Sequence, residues 1–285
     1  MLVAAAGFAV MGALVKVGAS KFTSAELVFY RSVFGLIVIY AFILNRGLPL
    51  KTPHLAKQFS RALVGFVSLV FFFYAIAHLP LATAITLNYT SPLFLAGLMP
   101  FMLPREAGVK HKRWVLYSAI VLGFIGVAWL LQPSFSRQDW LAGGVGLLSG
   151  AGAGLAYIHV KQLGQLHEPD WRTVFYFTFF SSIGAGSWML WHRFTPVAGA
   201  DLPMLIGLGI SATIGQLALT RAYRTGNTLI VASLAYTTVV FATLLGALFW
   251  QESISLDEAG AIGLIILSGI MSVSTSSQST SNTTK

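Results

Sequence analysis

The sequence predicts an all-α membrane protein with ten transmembrane helices, arranged as two inverted five-helix repeats around a central cavity. Composition, long apolar runs and an internal repeat predict this fold. Of the 285 residues, 56% are hydrophobic and 9% are charged, whereas soluble domains average about 25% charged residues. Apolar runs such as 24–44 and 114–131 lack the polar alternation of β-barrel strands. Helices are therefore the structures with which this chain crosses a bilayer.

Ten apolar runs follow one another along the chain, each about 20 residues long, which is the length that a helix needs to span a bilayer. They cover residues 2–19, 24–45, 59–78, 82–103, 113–132, 140–162, 172–192, 202–222, 227–249 and 257–274. Glycine and proline mark several breaks, at Gly47, Pro49, Pro80, Pro104 and Gly226. The first run has no basic start and no clear cleavage site, so we expect a span there and no removed signal peptide. The polar residues 275–285 predict a disordered cytoplasmic tail.

Lysine and arginine are distributed unevenly between the two sides of the predicted bundle. With a cytoplasmic N-terminus, thirteen of the 18 basic residues, Arg61 among them, fall in cytoplasmic segments and four in external ones, while Arg31 lies within a span. Basic residues favour the cytoplasmic side of a membrane. We therefore expect a multi-pass protein with both termini in the cytoplasm. This distribution accounts for the net charge of +9 without a nucleic-acid partner.

The second half of the chain repeats the pattern of the first. A shift of 147 residues aligns Tyr89-Thr90 with Tyr236-Thr237 and, with one residue of slip, Glu106 with Glu252. Each unit contains five spans, and two copies of an odd number of spans must lie in opposite orientations across the membrane. We expect a first repeat at 1–134 and an inverted second repeat at 135–274, the architecture of many secondary transporters.

Short motifs occur at matching places in the two halves. They are Tyr74-Ala75, Pro80-Leu-Ala82, Ser91-Pro92, Pro104-Arg-Glu106 and Gly123–Gly126 in the first half, and Leu219–Gly226, Tyr236 and Trp250-Gln-Glu252 in the second. In these motifs the chain resembles the drug/metabolite transporter superfamily, in its ten-span form with two EamA-type halves. Within it the chain is most similar to the YddG-like exporters of aromatic amino acids. Val239 departs from the pattern, since this family often has proline there. The resemblance implies efflux of amino acids, aromatic ones included, across a bacterial inner membrane.

Polar and aromatic side chains within the spans are candidates for lining the cavity. Polar groups are costly in a bilayer unless they face protein or water. The candidates are Thr86, Asn88 and Tyr89 in span four, Tyr236 and Thr237 in span nine, Gln216 in span eight, Tyr157 in span six, Tyr74 in span three and Arg31 in span two. Two alternatives stay open. Serine and threonine hydroxyls can bond their own helix carbonyls, and Arg31 can serve as a structural anchor.

Small residues and one proline are candidates for helix packing and gating. Gly146, Gly150 and Gly154 form a stripe on span six, which allows close helix approach or sliding of one half on the other. Pro92 removes a backbone hydrogen bond within span four. A kink at that position would be a gating device.

Enzymatic activity is not expected from this sequence. Neither HExxH nor GxSxG occurs, and no acidic residue lies deep within a predicted span. We therefore expect no catalytic residue, no metal and no cofactor. The hydroxyl and amide groups suit neutral amino acids, carried by alternating access down their gradient. The alternative is export of another metabolite or of an organic cation or drug. The partners expected are the small substrate and the lipid bilayer; the sequence leaves the oligomeric state open, and a monomer is compatible with it.

Overall fold

The computed structural model describes residues 1–79, 81–103, 113–132, 140–191, 194–251 and 255–281. This part of the chain is helical, with short connections and no strand. A 3-10 turn at Gly199–Asp201 precedes the ninth helix. The α-helices are α1 (Leu2–Gly18), α2 (Ser24–Asn45), α3 (Leu55–His78), α4 (Leu81–Asn88), α5 (Ser91–Met102), α6 (Arg113–Leu131), α7 (Trp140–Gln165), α8 (Asp170–Trp191), α9 (Leu202–Thr225), α10 (Thr228–Ala235), α11 (Thr237–Trp250) and α12 (Leu256–Ser281).

Several predicted motif residues, namely Pro80, Pro104, Glu106 and Glu252, lie outside the described residues.

Seven segments of the described part are long and apolar enough to cross a membrane by length and composition, and α1 is a shorter apolar helix. Large apolar side chains cover the outer surface; Trp191 is 89% and Leu248 73% exposed. Apolar exposure on this scale suits a surface that contacts lipid. The predicted all-α membrane fold is confirmed.

Spans four and nine are each broken into two helices, where the sequence predicted continuous spans. The first break lies at Tyr89-Thr90, between α4 and α5, and the second at Tyr236, between α10 and α11. Pro92 lies in the first turn of α5, where its missing N–H is tolerated. The second break has no proline; the hydroxyls of Thr237 and Thr238 donate to carbonyls three residues back. These bonds satisfy carbonyls that the interrupted helix leaves free.

The packing of the helices has the pattern of a two-fold repeat. Exchange of the repeats maps α1 onto α7, α2 onto α8, α3 onto α9 and α6 onto α12. Helix α6 packs on α12, and α2 packs on α8, so each of these helices contacts its own equivalent. Helix α3 packs on α7 just as α1 packs on α9. Contacts that are preserved under this exchange confirm the two five-helix repeats.

The glycine stripe of α7 lies directly against the break between α4 and α5. A Cβ on Gly146 would come 2.7 Å from Leu87 Cδ1, and one on Gly154 would come 2.7 Å from the carbonyl oxygen of Ser91. A Cβ on Gly150 would come 2.6 Å from the carbonyl oxygen of Leu87 and would also collide with the Thr90 hydroxyl. Distances this short leave no room for a methyl group. The stripe therefore allows the backbone of α7 to approach the interrupted helix.

Two expectations about the ends of spans are corrected. Arg61, counted as a cytoplasmic loop residue, lies within α3 and is 3% exposed. Helix α12 continues to Ser281, where a disordered tail was expected from residue 275. Extension of an existing helix is cheap compared with its nucleation, so a polar segment can follow an apolar one in the same helix.

We expect Gly150→Ala to destabilise the protein by about 1–3 kcal/mol, because the added methyl group overpacks the contact with the Leu87 carbonyl. The matched control is Gly144→Ala on the same helix, where a Cβ has nothing within 4 Å. Alanine favours helix over glycine by up to about 1 kcal/mol, so the control is expected to hold or raise stability. Thermal unfolding of the detergent-purified variants measures both effects. Equal unfolding temperatures for the two variants would contradict the tight contact.

Candidate functional site

A small cleft lies between α2, α8 and α9. Gly35 helps to shape it, because a Cβ there would come 3.1 Å from Thr213 Oγ1 and 3.2 Å from Thr178 Cγ2. Two of the repeats' equivalent helices, α2 and α8, thus form facing walls. The lining residues are Arg31, Ser32, Phe177, Thr178, Ala212, Thr213 and Gln216.

The threonine hydroxyls of the cleft already donate to their own helices. Thr213 Oγ1 donates to the Gly209 carbonyl at 2.7 Å, and Thr178 Oγ1 donates to the Val174 carbonyl at 2.9 Å. Their oxygens can still accept a hydrogen bond from a ligand. The Gln216 amide and the Arg31 guanidinium, both predicted as cavity candidates, supply the donors of this wall.

Arg31 lies in the cleft without a strong hydrogen-bond acceptor. Its Nη1 lies 3.5 Å from Met11 Sδ, and a thioether sulfur is a weak acceptor. Its buried Nε has no partner. No ion pair joins Arg31 to a carboxylate among the residues that the structure describes. The guanidinium thus keeps its hydrogen-bonding capacity for a ligand.

A second buried arginine, Arg61, lies next to the cleft. Its guanidinium carbon sits 4.0 Å from the centroid of the Phe177 ring, and that ring lines the cleft. The Nε and Nη1 of Arg61 are buried and have no hydrogen-bond partner in the described part of the chain. Gly65 makes room for this arrangement, since a Cβ there would come 3.1 Å from Arg61 Nη1.

Arg61 was not among the predicted cavity residues, because a charge near the start of a span resembles a loop charge. A signal was nevertheless present. Arg31 and Arg61 are each followed by glycine four residues later, at Gly35 and Gly65. Residues four apart share a helix face, so each arginine has a small neighbour that permits close packing.

Four tyrosines connect the two breaks with α7 and α9. The rings of Tyr157 and Tyr223 stack with centroids 4.8 Å apart and planes 13° apart. The rings of Tyr89 and Tyr236, which share a repeat position, lie 6.4 Å apart. Tyr223 and Tyr236 are fully buried, and their hydroxyls have no hydrogen-bond partner among the residues that the structure describes. The structure therefore brings Tyr89, Tyr157 and Tyr236, all cavity candidates, into the core between the repeats.

The remaining candidates lie outside the cleft lining. Asn88 Nδ2 donates to Ser149 Oγ at 3.2 Å, which ties α4 to α7, and Thr86 is buried. Thr237 bonds the Leu234 carbonyl of its own chain, the alternative considered for hydroxyls of this kind. Tyr74 is 36% exposed, and its ring stacks on the His78 ring with the two centroids 4.1 Å apart.

At one end of the molecule, polar side chains from both repeats converge on the buried Glu168 carboxylate. We call Thr52, Gln58, Glu168 and Arg172 the Glu168 cluster. Thr52 and Gln58 of the first repeat both donate to the Glu168 carboxylate, and Arg172 Nη1 donates to it at 3.0 Å. Gln58 also contacts Thr173 at 3.4 Å. Burial raises the pKa of Glu168, but the hydrogen bonds from Thr52, Arg172 and Gln58 and the charge of Arg172 outweigh burial and lower it.

At the opposite end of the molecule, a hydrogen bond and an ion pair also join the two repeats. The Thr195 backbone N–H donates to Glu26 Oε1 at 2.6 Å, and Lys21 forms an ion pair with Asp201 at 2.5 Å. Glu26 in addition completes the capping box of α2 with Thr23. Contacts between the halves therefore exist on both sides of the cleft.

The EamA-like transporter family matches residues 1–132 and 140–274, which covers both repeats. The chain belongs to this family. The pseudopaline exporter CntI of Pseudomonas aeruginosa is 33% identical over 262 residues, 91% of this chain and 89% of that protein. An uncharacterized transporter of Helicobacter pylori is 30% identical over 273 residues, 93% and 90% of the two chains. A solved crystal structure shares the fold with a TM-score of 0.82 at 20% identity, covering 95% of this chain and 96% of that one.

Membership in the EamA-like family settles the broad class of the protein. It is a multi-pass membrane transporter of small molecules and not an enzyme. A riboflavin transporter of Rhizobium johnstonii is also similar, at 27% identity over 204 residues, 71% of this chain and 65% of that protein. Relatives with such different substrates indicate that the shared fold does not by itself determine the substrate.

We expect Glu168→Gln to lower stability at neutral pH by about 1–3 kcal/mol, because Arg172 loses its charged acceptor. The lowered pKa of Glu168 stabilises the folded protein above the ordinary value of 4.5, and this stabilisation is lost as the pH falls through the lower folded value. The variant should therefore lose less stability than the wild type in that acidic range. Thermal unfolding against pH measures both effects.

The matched control for Glu168→Gln is Asp257→Asn, which changes an exposed carboxylate in the first turn of α12. A substitution at such a site is expected to stay within about 0.5 kcal/mol of the wild type. A Glu168 variant as stable as this control would contradict the role of the cluster.

Proposed function

We propose that the chain exports small amino-acid-type metabolites that carry a free carboxylate, across the plasma membrane of a bacterium, by alternating access. The single observation that carries this proposal is the Arg31 guanidinium, which lines the cleft with its buried Nε unpaired. A carboxylate is the group that matches a guanidinium fork in shape and charge. Gln216 in the same wall can hydrogen-bond the polar part of such a cargo.

The energetics of a buried cation favour an anionic group on the cargo. An arginine at the centre of a spanning helix costs about 2.5–3.5 kcal/mol on insertion scales. A bound carboxylate offsets this cost, whereas an organic cation would add a second charge of the same sign. The wall around Arg31 therefore argues against export of cationic drugs, the alternative left open by the sequence.

Aromatic amino acids belong to the proposed range. The Phe177 ring forms part of the cleft, and the stacked Tyr157 and Tyr223 rings lie in the adjacent core. An aromatic cargo gains about 0.5–1.5 kcal/mol from each well-placed ring beyond its burial. The similarity to YddG-like exporters motivates the same choice of test substrates.

Alternating access is supported by the inverted repeats and by the two broken helices that meet near the core. The distribution of basic residues favours cytoplasmic termini, which would place the Glu168 cluster on the cytoplasmic side. The glycine stripe at Gly146, Gly150 and Gly154, with Pro92 beside it, is the surface on which one half would move. The pseudopaline exporter among the relatives supports the outward direction.

The test is uptake of labelled phenylalanine, alanine and glutamate by the purified protein in liposomes, compared with empty vesicles. We expect Arg31→Gln to lower carboxylate transport about tenfold or more, because a charge-assisted hydrogen bond contributes about 1.5–3 kcal/mol. The matched control is Arg46→Gln, an exposed arginine at the other end of α2. No uptake of any of these amino acids by the wild type would overturn the proposal.

A further inference from the structure

We propose that Arg31 and Arg61 form one anion-binding pair, and that the preferred cargo carries two carboxylates. The inference rests on the proposed function, since it assigns the substrate class of the same cleft. It concerns a residue, Arg61, that lies behind the wall of the cleft and that transport of a neutral amino acid would leave unused.

Phe177 connects the surroundings of the two arginines. Phe177 lines the cleft together with Arg31, and the guanidinium of Arg61 sits on the Phe177 ring at 4.0 Å. In this proposal, rotation of the Phe177 side chain would open Arg61 to the space that Arg31 borders.

The arginines approach the cleft from opposite ends of the molecule. Each lies two turns into its helix, Arg31 in α2 and Arg61 in α3. Consecutive spanning helices run in opposite directions, so the two residues start from opposite sides of the bilayer. A cargo with acidic groups at two ends would contact both.

Neither arginine is neutralised by the protein in the described ranges. Glu168 and Asp170 pair with Arg172 and with Arg224, and Glu26 bonds Thr195 at the other end. A cargo with one carboxylate compensates one guanidinium and leaves the other as an uncompensated buried charge. A cargo with two carboxylates compensates both, and this asymmetry is the physical basis of the preference.

The contact between Arg61 and Phe177 does not remove the need for an anion. A cation–π interaction leaves the in-plane N–H groups of the guanidinium unsatisfied, and two nitrogens of Arg61 are in this state. Those N–H groups are the ones that bind carboxylate oxygens. If Arg61 were purely structural, its removal would change the binding of one-carboxylate and two-carboxylate cargoes by the same factor.

The experiment compares binding of one-carboxylate and two-carboxylate probes to the purified full-length protein in lipid nanodiscs. The probes are alanine and phenylalanine, against glutamate and iminodiacetate, followed by calorimetry. We expect the two-carboxylate probes to bind about tenfold or more tightly than alanine, because of the additional charge-assisted bonds. Arg61→Gln should abolish this difference, whereas Arg46→Gln should preserve it.

Two further variants keep the test decisive if Arg61→Gln does not fold. Arg61→Lys retains the charge but loses the fork, and should reduce the preference without abolishing it. Gly65→Ala places a methyl group against both Arg61 Nη1 and the Phe177 ring, and by displacing this contact it should reduce the preference at constant charge. Retention of the full wild-type preference by both variants would overturn the pair.

The outcomes separate the two proposals. If no carboxylate is bound or transported, the proposed function fails. If alanine and phenylalanine are transported but glutamate and iminodiacetate bind no more tightly, the export proposal stands and the anion pair is wrong. Equal loss of alanine and glutamate binding in Arg61→Gln would likewise assign Arg61 a structural role and overturn the pair.

Discussion

Backbone hydrogen bonding in an apolar surround constrains the whole molecule. A spanning helix can be interrupted only where other groups satisfy its free carbonyls and where protein covers the gap. At the first break the Thr90 hydroxyl bonds the Leu87 carbonyl, and α7 covers the gap through Gly150. At the second, Tyr236 packs against Gly123 of α6, where a Cβ would come 2.5 Å from its ring. The placement of the glycines therefore determines where the chain can break, and the breaks bring the tyrosines to the core.

Charge inside this framework is arranged in two different ways. Carboxylates lie at the ends of the bundle, where Glu168 and Glu26 join the halves. The cations Arg31 and Arg61 lie deeper, beside Phe177, without such partners. The ends thus hold the two repeats together by satisfied contacts, whereas the centre keeps unsatisfied donors. A transporter needs this separation, because contacts that close the protein must not compete for the group that binds the cargo.

The helical fold could be predicted almost entirely from the sequence, because an apolar run of sufficient length is a local property. The repeat could also be predicted, because Tyr89 and Tyr236 occupy matching positions in the two halves of the sequence. The breaks beside those residues could not be predicted, since they depend on hydroxyl bonds and on a covering helix from the other half. Arg61 was misplaced because its burial depends on Phe177, far away in the sequence. Arg31 and Gln216 were found because a polar group in mid-span already suggests a site.

Gly65 has a consequence for how this protein can change over generations. Its lack of a side chain leaves space for both Arg61 Nη1 and the Phe177 ring, which a Cβ at 65 would approach to 3.1 and 3.2 Å. A larger residue at 65 would therefore press on both members of the contact. Relatives that keep the arginine and the ring would accordingly be expected to keep a small residue at this position.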